Sequence, residues 1–202
     1  MKSVDYSKVQ GEEFNNQFWF FQLLVWLDFL THPIPSTVIE TGTFAGAGAV
    51  RWATFFDNVY TVELSEDLYT TTKKKYNSLK NISFYNDSSP LFLKKLLPTI
   101  NERCIIFLDA HGSGGETTYD EIHGRYGSPI LDELAAIKEY SSIDNHIIII
   151  DDCDDLGTMN YPSRQQVEDA ILEINSEYCV ELDIPKHLLM SRGTGIAYLP
   201  GG

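Results

Sequence analysis

Acidic residues recur where short β-branched runs end: Glu40 in "TVIET", Glu63 in "NVYTVEL", Asp87 after "ISFYN", Asp109 in "CIIFLDA", and Asp151 with Asp152 in "HIIIIDD". A carboxylate at the end of a buried strand is placed to accept hydrogen bonds from a ligand's hydroxyl or amino groups, or to hold a hard cation. The last run is the most abrupt, because "HIIIIDDCDDLG", residues 146 to 157, drives four isoleucines into Asp151, Asp152, Asp154 and Asp155. Buried chain that stops in so much charge predicts the carboxyl edge of a sheet.

Glu40 also opens the glycine-rich run "ETGTFAGAG", in which Gly42, Gly46 and Gly48 carry the chain from a strand into a helix. Glycines at such a junction permit a tight turn and close approach of backbone to a ligand at a helix N-terminus, although packing alone also selects them. Glu63, at the end of the next strand, can accept from both ribose hydroxyls of a nucleoside-containing cofactor. Asp87, with Ser88 beside it, either takes the adenine amino group or caps the helix that follows. Together these three strand ends offer an adenosine-shaped site.

Neighbouring parallel strands lie about 4.8 Å apart, so Asp109, Asp151 and Asp152 can converge. Three carboxylates held that close repel one another unless protonated or neutralised, and an all-oxygen set suits Mg²⁺, with Mn²⁺ as an alternative. Asp154 and Asp155 fall beyond the strand end as rim residues, and either replaces Asp152 if the register differs by a residue or two.

The elements that must position these residues alternate strand with helix, the pattern of a parallel sheet covered by helices. Helices are predicted at about 47–56, 66–79, 89–98, 129–140 and 163–178. Ser65 supplies an N-cap, and Ser128 precedes Pro129 at a first helical position. Residues 179–200 read as two strands joined by a turn, an antiparallel hairpin added to the sheet. The predicted fold is α/β, a Rossmann-like doubly wound sheet, mostly parallel, in a single domain over 1–202. An amphipathic N-terminal helix from "FWFFQLLVWLDFL" caps a core running from 36 to 200, and its aromatic face could pair with a copy of itself in a homo-oligomer.

With 29 acidic against 15 basic residues the formal charge is −14, which repels nucleic acid and anionic membranes. The basic cluster Lys73, Lys74 and Lys75 reads as a solvated helix end. The N-terminal apolar run is too short to span a bilayer. Cys104, Cys153 and Cys179 are odd in number and lack metal-ligand spacing, which favours a reducing, cytoplasmic setting.

"ETGTFAGAG", "VEL" and "NDS" resemble the glycine motif, ribose acid and adenine acid of class I S-adenosylmethionine-dependent methyltransferases, over roughly residues 36–200. Asn86 stands where that family often has glycine. The acids of "FLDAH" and "IIIIDD" resemble those of the metal-dependent branch that methylates sugars on macrolide and aminocoumarin antibiotics. That resemblance implies Asp109, Asp151 and Asp152 as metal ligands and puts His111 at the base position, where the branch more often has aspartate. It implies O-methylation of a sugar hydroxyl, such as that of a rhamnose-like deoxyhexose in a glycan or glycoside. A cation on that oxygen would lower its pKa and His111 would take the proton. The loop 112–128 offers Tyr119, Asp120, Glu121, His123, Arg125 and Tyr126 to such a sugar. Three rival readings use the same residues: a catechol-type O-methyltransferase, a nicotinamide-dependent dehydrogenase, and a glycan-binding module without catalysis.

Overall fold

The four isoleucines of β5 (Ile147–Ile150) show how the sheet is buried: Ile147 and Ile149 pack into one hydrophobic cluster, Ile148 and Ile150 into another. Successive strand residues point to opposite faces, so a run with no polar break must be covered on both sides. β4 (Ile105–Leu108) divides the same way, Ile105 and Phe107 to one side, Ile106 and Leu108 to the other.

The computed structural model describes residues 14–31, 33–110, 128–158, 161–184 and 193–200. Among them are β1 (Thr37–Thr41), β2 (Asn58–Glu63), β3 (Ile82–Asn86), β6 (Cys179–Ile184) and β7 (Thr194–Tyr198), besides β4 and β5. The strand order is β3-β2-β1-β4-β5-β7-β6, with parallel pairing from β3 through β5 and β7 antiparallel to both β5 and β6. The predicted α/β Rossmann-like sheet with a terminal antiparallel hairpin is therefore present. The order runs outward from β1 in both directions, which opens a crevice beyond the carboxyl ends of β1 and β4.

Helices α1 (Phe14–Thr31) and α2 (Ala47–Phe55) supply one cluster, with Leu23, Leu24, Leu27 and Trp52 at 0–1% exposure. Each such leucine contributes roughly 2 kcal/mol by burial. Helices α4 (Ser89–Leu96), α5 (Ile130–Tyr140) and α6 (Arg164–Ile174) cover the other face. Helix α3 (Glu66–Lys75) lies against β2 and β3. Ser65 caps α3 by accepting from the Leu68 N–H, and a Ser163–Gln166 capping box starts α6. Pro129 is the cap of α5 rather than its first residue, one position from expectation.

Helix α1 departs from the expected amphipathic form. Its inward Phe20, Leu23, Leu24 and Leu27 are buried, but Val25 and Phe29 on the outside are apolar too, Phe29 at 85% exposure. Among the described residues no helix is long and apolar enough to cross a membrane.

At the amino edge of the sheet His146 is wholly buried. Its Nδ1 accepts from the Cys104 N–H at 3.1 Å, and its Nε2 lies 2.8 Å from Ser141 Oγ. Burial first, then the Arg103 charge, lowers its pKa to about 4 from 6.5. The folded state favours the neutral ring, so the unfolded chain binds the proton more readily and stability falls as pH drops from 6.5 to 4. We expect this histidine to contribute about 3 kcal/mol to that loss. Denaturant titrations of wild type and His146→Gln across this window should differ by that slope; parallel curves would contradict the assignment.

Candidate active site

The glycine turn begins where Glu40 and Thr41, consecutive residues at the end of β1, point to opposite faces. Glu40 lies beneath α2 at 1% exposure and accepts from Thr61 Oγ1 at 2.7 Å. The Thr61 proton is thereby used, so Thr43 donates to Thr61 across 2.6 Å. A Cβ on Gly48 would sit 2.2 Å from Glu40 Oε1, so this glycine makes room for the glutamate. Gly46 is left-handed at the start of α2, against Thr72 and Tyr76. Gly42, with φ +84°, lets the turn pass so close to β4 that a Cβ would lie 2.5 Å from the Asp109 carbonyl oxygen.

Glu63 ends β2 as a junction: its Oε2 accepts from the Phe44 N–H at 2.7 Å and its Oε1 from the Ser65 N–H at 2.9 Å. The glycine turn and the ribose acid expected from sequence are thus one unit. Phe44, which sequence reasoning passed over, stands 59% exposed on that turn with φ +46°, an uncommon backbone for an aromatic residue. Asn86 Nδ2 donates to the Glu63 and Leu64 carbonyls at 2.9 and 3.1 Å, and so ties β3 to β2 where a glycine could not. Asp87 engages the helix that follows, accepting from the Ser88 N–H and pairing with Lys95. The Ser88 hydroxyl is buried without a hydrogen-bond partner.

The other pair of strand ends carries the expected metal acids. The Asp109 N–H donates to Thr41 Oγ1 at 3.2 Å, and the Asp151 N–H to the Leu108 carbonyl at 3.0 Å. Asp109 and Asp151 line one cleft with Ser128, Glu133 and Tyr161. Asp152 does not line it; at φ +54° and 5% exposure it caps the 3-10 turn Cys153–Asp155. Arg164 staples that turn by donating to the Cys153 and Leu182 carbonyls at 3.0 and 2.8 Å. Asp154 is exposed, as expected of the rim. Among the described residues no group of three or more acids, histidines or cysteines is gathered tightly enough to hold a metal ion. His111 and loop residues Tyr119, Asp120, Glu121, His123, Arg125 and Tyr126 lie outside the described residues.

Glu133 and Tyr161 are members of the cleft that sequence reasoning missed. Glu133 is a first-turn acid, yet it falls three residues after Ile130 and four before Ile137, on the buried stripe of α5. That spacing was the available signal; Tyr161 had none. Burial pushes Glu133 up to about 7 against the Ser89 and Thr41 hydroxyls that hydrogen-bond it, with Asp109 adding to the rise. Burial also raises the half-buried Tyr161 phenol, followed by Asp152, Asp155, Asp109 and Asp151, so it stays a hydrogen-bond donor.

Two predictions follow from the β1 tip. Gly42 and Gly157 both have positive φ, but a Cβ on Gly157 meets nothing within 4 Å. Gly157→Ala should therefore cost about 1 kcal/mol and Gly42→Ala clearly more, as measured by urea unfolding; equal costs would contradict the close approach. Glu40 is pushed up to about 8, mainly by burial, so its contribution to stability is full below pH 4.5 and lost as pH rises through 8. Glu40→Gln should gain on wild type by on the order of 3–5 kcal/mol between pH 5 and 9 in the ligand-free protein. A constant difference would overturn this.

The fold, a mostly parallel sheet with a terminal antiparallel hairpin, is shared with solved methyltransferases. A protein of Streptococcus mutans assigned as a methyltransferase and solved with SAH shares it at TM-score 0.52 and 17% identity, over 88% of this chain and 97% of that one. N-methyltransferase NodS from Bradyrhizobium japonicum matches at TM-score 0.51 and 10% identity, covering 93% and 97%. Spermidine synthase from Thermotoga maritima matches at 0.57 and 12%, covering 92% and 60%, so the fold alone does not fix the reaction. No protein-family model and no curated protein matches the chain.

Proposed function

We propose that this chain transfers the methyl group of S-adenosylmethionine to a hydroxyl of a sugar, a deoxyhexose such as rhamnose in a glycan or glycoside. The observation that carries this reading is the union of the glycine turn with Glu63 through the Phe44 N–H, beside the buried, unpartnered Ser88 hydroxyl. Both stand along the carboxyl ends of β1, β2 and β3 in a methyltransferase fold. On this reading Glu63 takes the ribose hydroxyls, Asp87 and Ser88 the adenine edge, and Gly42, Gly46 and Gly48 allow the backbone to approach the cofactor, with Glu40 holding the turn from below.

Methyl transfer needs the acceptor oxygen in line with the sulfonium and free of its proton. Asp109, at the crevice beside β1, orients the hydroxyl, and His111 takes its proton. The oxygen-only chemistry of Asp109, Asp151 and the unpartnered Glu133 Oε1 fits a hard divalent ion, which would lower the pKa of the acceptor hydroxyl. The odd number of cysteines, without metal-ligand spacing, supports a reducing, cytoplasmic setting. The apolar outer side of α1, with Val25 and Phe29, supports self-association.

Calorimetry with S-adenosylhomocysteine and with NAD tests the cofactor, and binding of NAD alone would sink the reading. Glu63→Ala should weaken S-adenosylhomocysteine by about tenfold to a hundredfold, as expected for lost hydrogen bonds to a charged acceptor. Sugar and catechol acceptors with labelled methyl donor test the substrate class; label in the catechol alone would replace the sugar.

A further inference from the structure

We propose that Glu133 is a carboxylate ligand of a divalent-cation site, acting with Asp109 and Asp151 in the cleft between the start of α5 and the ends of β4 and β5. This deepens the ion-assisted part of the proposed reaction and rests on that reading only for what the ion does once bound.

Glu133 is 1% exposed and its Oε1 has no hydrogen-bond partner. A buried oxygen left unsatisfied is costly, and such an atom in a folded protein calls for a ligand, a water or an ion. The atom belongs to a side chain that lines the same cleft as Asp109 and Asp151, with the Ser128 and Tyr161 side chains alongside. No lysine or arginine is among the described residues that line that cleft. Oxygen donors of this kind, carboxylate with hydroxyl, select hard divalent ions.

The site is assembled by the ion. Among the described residues no three side chains already stand around one point, so Asp109 and Asp151 must be drawn in from the strand ends. Glu133 is the fixed member, because it is sealed in α5 with the Ser89 and Thr41 hydroxyls acting on its carboxyl, the latter also receiving the Asp109 N–H. One residue thus links the backbone of the first ligand to the side chain of the third. Asp152, the third carboxylate expected from sequence, opens the turn after β5 with left-handed backbone and is not among the residues that line the cleft.

Mn²⁺ binding by the full chain, followed by electron paramagnetic resonance, tests this without acceptor or methyl donor. Wild type should bind Mn²⁺ in competition with Mg²⁺, and Glu133→Gln should weaken it by about tenfold or more. Its melting temperature and S-adenosylhomocysteine affinity should stay near those of wild type. Wild-type protein that takes up no Mn²⁺, or Glu133→Gln that binds as well as wild type, overturns the assignment. An equal loss in Asp152→Asn adds Asp152 to the ligands and leaves Glu133 among them. Should Glu133→Gln not fold, Mn²⁺ broadening of wild-type amide resonances decides. Broadening centred on Asp109 and the first turn of α5 supports the site, and broadening confined to 152–155 refutes it. Protein that binds Mn²⁺ through Glu133 but no S-adenosylhomocysteine keeps the cation site and loses the methyltransferase reading; the reverse result does the opposite.

Discussion

The end of β1 is the constraint on which the rest depends. Glu40 and Thr41 must point to opposite faces of a sheet buried on both, and the next residue must turn the chain away while almost touching β4. Glu40 is accommodated under α2 because Gly48 has no side chain, and Gly42 permits the approach to the Asp109 carbonyl. Thr41 receives the Asp109 N–H and so locks the end of β4 to β1. The crevice at the switch in strand order is then shaped by backbone, which is stiffer than any side chain that could have lined it.

From that point the carboxyl edge divides into two halves with different chemistry. Toward β2 and β3 the acids are met by the protein's own donors: Glu63 by two backbone N–H groups, Asp87 by Ser88 and Lys95. Toward β4 and β5 carboxylates share a cleft with one another, and burial pushes Glu133 toward protonation at neutral pH. A cofactor with hydroxyl and amino groups suits the first half, and a cation or an acceptor hydroxyl suits the second. The proposed methyl transfer would use both halves at once.

Much of this was legible in sequence because parallel strands advertise themselves. The strands before Asp109 and Asp151 are apolar and buried at every position, and all five strand ends fell within a residue or two of their predicted places. The glycine turn was legible as a turn, but its reasons were not: Gly48 serves Glu40 and Gly46 serves Thr72 and Tyr76, contacts that only the folded chain creates. Neighbouring carboxylates were expected to converge from strand spacing alone, which says nothing about side-chain direction. Asp152 has left-handed backbone and is not among the residues that line the cleft, though its charge still acts on Tyr161. Glu133 was hidden because a first-turn acid is usually a solvated one, and only its place on the apolar stripe of α5 marked it.

The most direct test of the central claim is a crystal structure grown with S-adenosylhomocysteine. The account predicts the nucleoside across the carboxyl ends of β1, β2 and β3, ribose hydroxyls on Glu63, the adenine edge at Asp87 and Ser88, and the sulfur beside Asp109. A ligand seated anywhere else, or none at saturating concentration, would contradict it.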